Sequence, residues 1–246
     1  MTVVFVHGVP EAPAIWDEML AHMRRDDLVR LSPPGFGAPV PDDFDPTSDG
    51  YRDWLVAELE QFDGPVDLVG HDWGAGHALR ATTARPDLVS ALVTDIAGTA
   101  DAGYVWHDMA QVWQRPGEGE ALVEAVAAMP VEDRVPMLVE AGMTEAGARA
   151  CAEANGATMG ACILSLYRSA VQPHMSMWGA EFATLAHRPR TLVVIAHDDH
   201  FTGGPDIARC VAQQWGASVA ELDGLGHWWM MQDPARSAAM LNEFLR

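Results

Sequence analysis

VDLVGHDWGAG, residues 66–76, is an apolar run that ends in a glycine-flanked aspartate and continues into a glycine-rich segment. The run predicts a buried strand, and the residues after it favour a sharp turn into a helix. Gly70 and Gly74 leave room for a tight turn, so Asp72 projects at the end of the strand beside the helix N-terminus. The stretch therefore predicts an α/β fold that presents a reactive side chain at position 72.

The side chain at position 72 is a carboxylate, which is ionised at neutral pH and needs no base to activate it. Attack of a carboxylate on an acyl carbon would give a reactive anhydride, whereas displacement at a saturated carbon gives an ordinary ester. We therefore expect Asp72 to attack alkyl electrophiles such as epoxides or halides. A serine esterase is disfavoured because no serine occupies the turn.

Hydrolysis of such an ester requires a base that activates water and donors that hold the oxyanion. His227 lies in DGLGHWW, residues 223–229, after the last predicted strand, and is the predicted base. The HGVPE segment at 7–11 follows the first strand, so the backbone N–H groups of Val9 and Trp73 are the predicted oxyanion donors.

A carboxylate that orients His227 should complete the group. Asp198 and Asp199 follow the fifth predicted strand, and we favour Asp199 over Asp198 as the orienting acid. Asp101, after the fourth strand, is a third candidate. A turn and helix cap would explain the Asp198 and Asp199 pair without catalysis.

Short runs rich in valine, leucine and isoleucine alternate along the chain with helix-length amphipathic segments. This alternation is typical of a mostly parallel, doubly wound sheet with helices on both faces. The predicted strands are 2–6, 28–31, 66–69, 91–95, 191–196 and 218–222. The predicted helices are 14–23, 50–61, 74–84, 208–215 and 234–245.

Between the fourth and fifth predicted strands, residues 98–185 contain methionine-rich and alanine-rich helical segments and no convincing strand. A connection of this length is too long for a loop and favours an inserted helical cap over the ligand site. Residues 1–97 and 186–246 would then form one core domain. The methionines of the insertion fit packing between helices or the wall of an apolar pocket.

The chain has 35 acidic residues, 15 arginines and no lysine, which gives a formal charge of −20. The absence of lysine excludes Schiff-base chemistry and a phosphate-binding lysine, and the acidic balance disfavours nucleic acid and anionic membranes as partners. The three cysteines and ten histidines show no metal-binding signature. We expect a cytoplasmic enzyme without metal or cofactor that acts on a small, largely apolar molecule; a homodimer stays open.

Four motifs together resemble the epoxide hydrolase and haloalkane dehalogenase branch of the α/β-hydrolases: HGVPE at 7–11, PPGFG at 33–37, GHDWGAG at 70–76 and GLGHW at 224–228. The resemblance spans the predicted core. It implies that Asp72 is the nucleophile, His227 the base and Asp199 the orienting acid. The sequence opens directly on the strand that carries the first motif, so we expect the family's usual preceding strand pair to be missing.

The two activities of this branch need different side chains around the leaving group, because an epoxide oxygen requires a proton whereas a halide requires N–H donors. By resemblance, Tyr167 would open the epoxide ring and Tyr104 would be its partner. Trp73 would bind a halide with a second indole, which Trp106, Trp113 or Trp178 could supply. Residue 9 is valine instead of the asparagine usual in dehalogenases.

Packing under the cap explains these aromatic residues as well. We therefore predict an epoxide hydrolase, with a haloalkane dehalogenase as the alternative. A third alternative is a repurposed member of the fold, either a ring-forming biosynthetic enzyme or a protein that binds its ligand without turnover.

Overall fold

The computed structural model describes residues 1–246 and contains a single six-stranded sheet. Each strand is parallel to its neighbours, in the order β2-β1-β3-β4-β5-β6. The strands are β1 Val3–Val6, β2 Leu28–Leu31, β3 Val66–Gly70, β4 Val89–Thr94, β5 Arg190–Ala196 and β6 Ser218–Leu222. The predicted parallel α/β sheet is confirmed, and its chain order reverses between β1 and β3.

The helices are α1 Asp17–Leu20, α2 Ser48–Leu59, α3 Trp73–Ala84, α4 Asp108–Gln114, α5 Glu118–Ala128, α6 Val131–Glu140, α7 Glu145–Ala154, α8 Ala157–Ser169, α9 His174–Ala183, α10 Pro205–Trp215, α11 Trp229–Gln232 and α12 Pro234–Phe244. None of them is long and apolar enough to cross a membrane.

Local capping shifts several predicted element ends. Helix α2 begins two residues early because the Thr47 hydroxyl accepts a hydrogen bond from the Gly50 N–H and caps the first turn. Pro205 starts α10, since proline is well tolerated at the first helical position. The helix predicted over 14–23 is wrong in extent: a 3-10 turn at Pro13–Trp16 leads into the short α1.

The sheet carries an apolar layer on each face, which is why the central strands are buried throughout. One layer packs Trp16 and Trp229 against β1 and β4. The opposite layer packs Leu79 of α3 and Trp215 of α10 against the same sheet. Helices on both faces make the sheet doubly wound, as the alternating sequence pattern predicts.

Six helices, α4 to α9, lie between β4 and β5. Side chains from α4, α8 and α9 form a third buried cluster with Val9 and Trp73, which follow the carboxyl ends of β1 and β3. The helical segment therefore covers the sheet edge at which Asp72 stands. The division of the chain at residues 98 and 185 stays a prediction.

Candidate active site

The turn between β3 and α3 holds Asp72 in a conformation that side chains rarely adopt, with φ of 49° and ψ of −126°. The backbone there is too crowded for larger neighbours. A Cβ atom at Gly74 would lie 2.2 Å from the Val6 carbonyl oxygen, and one at Gly8 would lie 2.4 Å from Asp72 Cβ. The strained turn is maintained by its surroundings and directs the carboxylate away from the sheet.

Two backbone N–H groups converge on the Asp72 carboxylate. The N–H of Val9 donates to Oδ1 at 2.9 Å. The N–H of Trp73, at the start of α3, also acts on this carboxylate and lowers its pKa. Val9, one of the two predicted oxyanion donors, therefore contacts an oxygen on which charge would develop.

His227 faces Asp72 and is held by Asp199. Its Nδ1 lies 2.9 Å from Asp199 Oδ2, and its Nε2 lies 3.8 Å from Asp72 Oδ2. Because a carboxylate only accepts, Nδ1 carries the proton in the neutral ring and Nε2 is free to accept one. The other Asp199 oxygen, Oδ1, accepts the Phe201 N–H at 2.7 Å.

The alternative orienting carboxylates lie elsewhere. Asp198 is exposed, one residue away from the buried Asp199. Asp101 accepts the N–H of Gly103 at 2.7 Å in its own loop. Only Asp199, of these three, contacts His227.

Burial and neighbouring charges together shift the pKa values of Asp72, His227 and Asp199. Burial raises the pKa of Asp72 to about 6, although the charge of His227 opposes the rise. Burial alone would lower the pKa of His227, but the Asp199 carboxylate outweighs it and raises the pKa above its usual value. For Asp199, burial would raise the pKa, but the charge and hydrogen bond of His227 together with the Phe201 N–H outweigh it and lower the pKa.

Behind the turn, His71 lies between two buried carboxylates. Its Nδ1 is 2.5 Å from Asp95 Oδ2 and its Nε2 is 3.0 Å from Glu11 Oε1. Burial would lower the pKa of His71, but the two carboxylates raise it well above its usual value. Both ring nitrogens therefore donate, and His71 is a buried imidazolium.

The two carboxylates beside His71 also fix backbone at the site. Glu11 Oε2 accepts the Gly8 N–H at 2.7 Å, and Asp95 Oδ1 accepts the Asp72 N–H at 3.1 Å. The other Glu11 oxygen, Oε1, accepts the indole N–H of Trp228 at 2.6 Å, and the other Asp95 oxygen, Oδ2, accepts that of Trp229 at 2.9 Å. The turns that carry Val9 and Asp72 are thus tied to one charged ring.

Glu11, His71 and His227 place ligand atoms within 4.8 Å of one another, as a metal site would. Each ring nitrogen of His71 already faces a carboxylate, and His227 Nδ1 faces Asp199. These hydrogen bonds and the opposite charges of the partners explain why the three side chains lie so close together.

A narrow cleft adjoins Asp72, with a free volume of about 20 Å³, room for little more than a water molecule, which needs about 10–15 Å³. Tyr104 and Trp106, two of the predicted substrate residues, line it together with Trp73. The Tyr104 hydroxyl donates to the Phe201 carbonyl oxygen at 2.7 Å. Trp106 stacks on Trp73 with ring centres 5.8 Å apart, and its indole N–H is buried without a partner.

Tyr167 lies outside the lining of the cleft, behind the aromatic wall. Its buried ring packs against Trp73, Trp106 and Trp113, with ring centres 4.7 to 5.2 Å apart. Burial raises the pKa of Tyr167, and the charge of Asp72 raises it further. Tyr167 is therefore close enough to feel the carboxylate but does not border the open space beside it.

Sequence reasoning missed several residues of the site. His107 lines the cleft, where burial lowers its pKa to about 4 and keeps it neutral. Phe201 packs its ring 4.9 Å from His227 and 5.0 Å from His107. His107 also caps α4, so its sequence position indicates only a helix start. Two further residues had a signal in the sequence: Glu11 lies in the HGVPE motif, and Asp95 directly follows β4.

Comparison with known proteins places this geometry in a family. Aligned segments are 36% identical over 99 residues to a karrikin insensitive 2 receptor of Petunia hybrida and 37% identical over 97 residues to a lipase of Mycobacterium tuberculosis. They cover 38% and 37% of this chain, but only 37% and 35% of those relatives.

A loop variant of a haloalkane dehalogenase from Bradyrhizobium elkanii superposes with a TM-score of 0.70 over 99% of this chain and 90% of that one, at 19% identity. That likeness shows a shared fold. The model of the alpha/beta hydrolase family matches residues 3–240, nearly the whole chain. The chain therefore belongs to the alpha/beta hydrolase family.

Proposed function

We propose that this hydrolase acts on alkyl electrophiles through a covalent ester of Asp72, and that its reaction is the hydrolysis of an epoxide to a vicinal diol. The observation that carries the proposal is the Asp72 carboxylate itself. It has backbone donors on Oδ1, and His227 Nε2 lies 3.8 Å from Oδ2. A hydroxyl nucleophile would need that histidine for its activation, whereas a carboxylate leaves it free for the second step.

In the first step, Asp72 Oδ2 attacks an epoxide carbon, the bond from that carbon to the ring oxygen breaks, and the ring oxygen takes a proton. Tyr104 and Tyr167 are the candidate proton donors. Tyr104 borders the cleft, but its hydroxyl has to leave the Phe201 carbonyl to reach a substrate. The product of this step is a hydroxyalkyl ester on Asp72.

In the second step, His227 Nε2 takes a proton from water, and the hydroxide attacks the carboxyl carbon of Asp72. The charge develops on Oδ1, where the N–H of Val9 already donates. The tetrahedral intermediate collapses, and the diol oxygen leaves and takes the proton from His227. Asp72 then passes the second proton of the water to the tyrosinate left by the first step, which restores both the carboxylate and the phenol. Asp199 stabilises the imidazolium that forms meanwhile.

Dehalogenation is the second candidate because of Trp106. Its buried N–H has no partner and lies beside Trp73, as a halide-binding donor would. Residue 9, however, is valine and offers no side-chain N–H to a halide. Of the two indoles that line the cleft, only that of Trp106 has an N–H that is buried without a partner, and we rank epoxide opening first.

Blocking the second step tests the proposal. A His227→Gln protein incubated with a small epoxide such as 1,2-epoxybutane should gain the mass of one epoxide on Asp72, because the ester forms but is not hydrolysed. Small probes suit the narrow cleft. An adduct from bromoethane, but not from the epoxide, would establish dehalogenation instead.

The matched control is His187→Gln, an exposed histidine that does not line the cleft, which should turn over substrate without accumulating an adduct. Absence of any adduct on folded His227→Gln would contradict the covalent mechanism. Tyr104→Phe and Tyr167→Phe, each measured with epoxide and bromide, identify the proton donor, since only epoxide opening should slow.

Binding without turnover is the remaining alternative, and one relative is named as a receptor. Under that alternative the unmutated protein would bind the epoxide without releasing diol.

A further inference from the structure

A second cavity lies within the helical segment, separate from the cleft at Asp72. Its free volume is about 200 Å³, roughly ten times that of the cleft, and no residue lines both. Helices α4 to α8 contribute its walls, and Pro10 of the HGVPE turn also borders it. Met109 and Met137 line it and are exposed, so they stand at its rim.

Most of the lining is apolar: Leu122 and Val126 of α5, Leu138 of α6, and Ile163 of α8 are typical. A dry apolar cavity of about 150 Å³ takes up a molecule such as benzene. The space inside these helices is therefore large enough for an apolar group of modest size.

One charged side chain, Arg134, lines this cavity. Arg134 belongs to α6, and only 9% of it is exposed. Its Nη1 donates to the Asn155 carbonyl oxygen at 2.6 Å, while its Nε–H is buried without a partner. No carboxylate lies within the 4.0 Å that defines an ion pair.

The lack of a counter-ion distinguishes Arg134 from the other buried arginine. The other buried arginine, Arg80, pairs with Asp49 at 2.5 Å and donates to the Ser48 carbonyl oxygen. A guanidinium stays charged at any physiological pH, and burying a charge without a partner is costly. In a chain with 35 acidic residues, an unpaired buried cation in an apolar cavity indicates that the partner comes from outside.

We propose that this cavity is a binding site for an apolar monocarboxylate. The apolar tail would lie against the leucine, valine and isoleucine side chains, and the carboxylate would accept from the Arg134 Nε–H and a free Nη hydrogen, a geometry that a guanidinium supports well. The site is independent of the chemistry at Asp72, since its lining excludes that residue.

Octanoate and octan-1-ol are suitable probes because they share a tail length and differ in charge. Titration of the full protein should show binding of octanoate, with a change in tryptophan fluorescence because Trp113 lines the cavity. Arg134→Met keeps an apolar side chain but removes the donors. It should weaken octanoate binding by about tenfold or more, and octan-1-ol binding should fall no further than in the control.

The control is Arg149→Met, an exposed arginine on α7 that pairs with Glu132. It should bind octanoate as the unmutated protein does. Asp72→Asn should also leave the octanoate affinity unchanged, because Asp72 does not line this cavity. A changed affinity would mean that octanoate binds in the catalytic cleft, which Asp72 does line.

Failure of the unmutated protein to bind octanoate at millimolar concentrations overturns the proposal. Equal octanoate affinity in folded Arg134→Met overturns it as well. Should that variant unfold in thermal melts, Val126→Phe provides the second test, since it fills the cavity and leaves the arginine in place. Octanoate binding that survives Val126→Phe places the ligand elsewhere and sinks the proposal.

Discussion

At the scale of single residues, the histidine of this site has one function fewer than that of a serine hydrolase. It activates water but does not have to activate the nucleophile. Asp72 is ionised without help, although burial has raised its pKa to about 6. His227, with Nδ1 held by Asp199, keeps Nε2 available for water. The ring centre of the buried His71 imidazolium lies 4.6 Å from that of His227, and its charge opposes the rise of the His227 pKa.

A pH prediction follows for the first step. Alkylation needs the ionised carboxylate, so the rate of adduct formation should fall as the pH drops through the Asp72 pKa of about 6. In His227→Gln the midpoint should lie above that of the unmutated protein, because the positive charge that lowers the Asp72 pKa is gone.

Intact mass spectrometry after short incubations between pH 5 and pH 8 measures this rate. Single-turnover kinetics of the unmutated protein provide the comparison. A rate of adduct formation that stays flat across this range would show that Asp72 does not titrate as the nucleophile.

At the scale of elements, the strand–turn–helix unit around Asp72 depends on close backbone approach. Gly74→Ala should disrupt the turn, because the added Cβ would meet the Val6 and His7 carbonyl oxygens at 2.2 and 2.5 Å. Gly76→Ala, two residues along the same helix, is the matched control. Its Cβ would make ordinary contact at 3.6 Å, and alanine favours a helix by up to about 1 kcal/mol over glycine.

Thermal unfolding and activity measurements should therefore distinguish these two variants. Gly74→Ala should lose stability and most activity, whereas Gly76→Ala should keep both. An active and stable Gly74→Ala protein would mean that the turn does not need this approach of β1 to α3.

The network behind the turn joins β1, β3, β4 and the segment after His227. His71→Leu should destabilise the protein by about 3–5 kcal/mol, because it leaves Glu11 and Asp95 buried without their cation. His77→Leu is the control: His77 is equally buried, burial lowers its pKa to about 3, and its Nε2 has no partner to lose.

Denaturant unfolding of both variants measures the difference. The Glu11 pKa of about 2 adds a pH signature, since the stability that it provides is complete above the ordinary glutamate pKa and is lost as the pH falls towards 2. Equal losses in the two variants would mean that the charges of the network contribute nothing beyond packing.

The elements could be predicted because their signals are local. Continuous apolar runs mark β1, β3 and β5, and glycine marks the turn at Asp72. Asp72, Asp199 and His227 each follow a strand, and parallel strands bring their carboxyl ends to one edge, so their meeting could also be inferred.

Other features depend on how distant elements pack and leave no local pattern. Nothing in the spacing of Glu11, His71 and Asp95 shows that they share one buried cluster. The place of Tyr167 behind Trp73 likewise depends on the packing of α8, which periodicity does not fix.

At the scale of the whole molecule, the formal charge of −20 affects stability more than fold. Acidic residues outnumber arginines 35 to 15, so most carboxylates have no cation to pair with. Added salt screens repulsion between surface charges. The melting temperature should therefore rise by a few degrees between low and physiological ionic strength.

Differential scanning calorimetry in chloride and in sulfate at equal ionic strength checks this prediction. Screening should raise the melting temperature similarly with both anions. A melting temperature that falls as salt is added would show that the surface ion pairs, such as Arg209 with Glu221, outweigh the repulsion.

In the proposed reaction, water attacks the carboxyl carbon of Asp72 and never the substrate. A single turnover of the unmutated protein with a small epoxide in ¹⁸O-labelled water tests it most directly. The covalent mechanism predicts that the diol from this first turnover carries an unlabelled oxygen taken from Asp72, and that the peptide containing Asp72 gains one ¹⁸O atom. Label in the diol, with none on Asp72, would mean that water attacks the epoxide itself and would contradict the covalent ester.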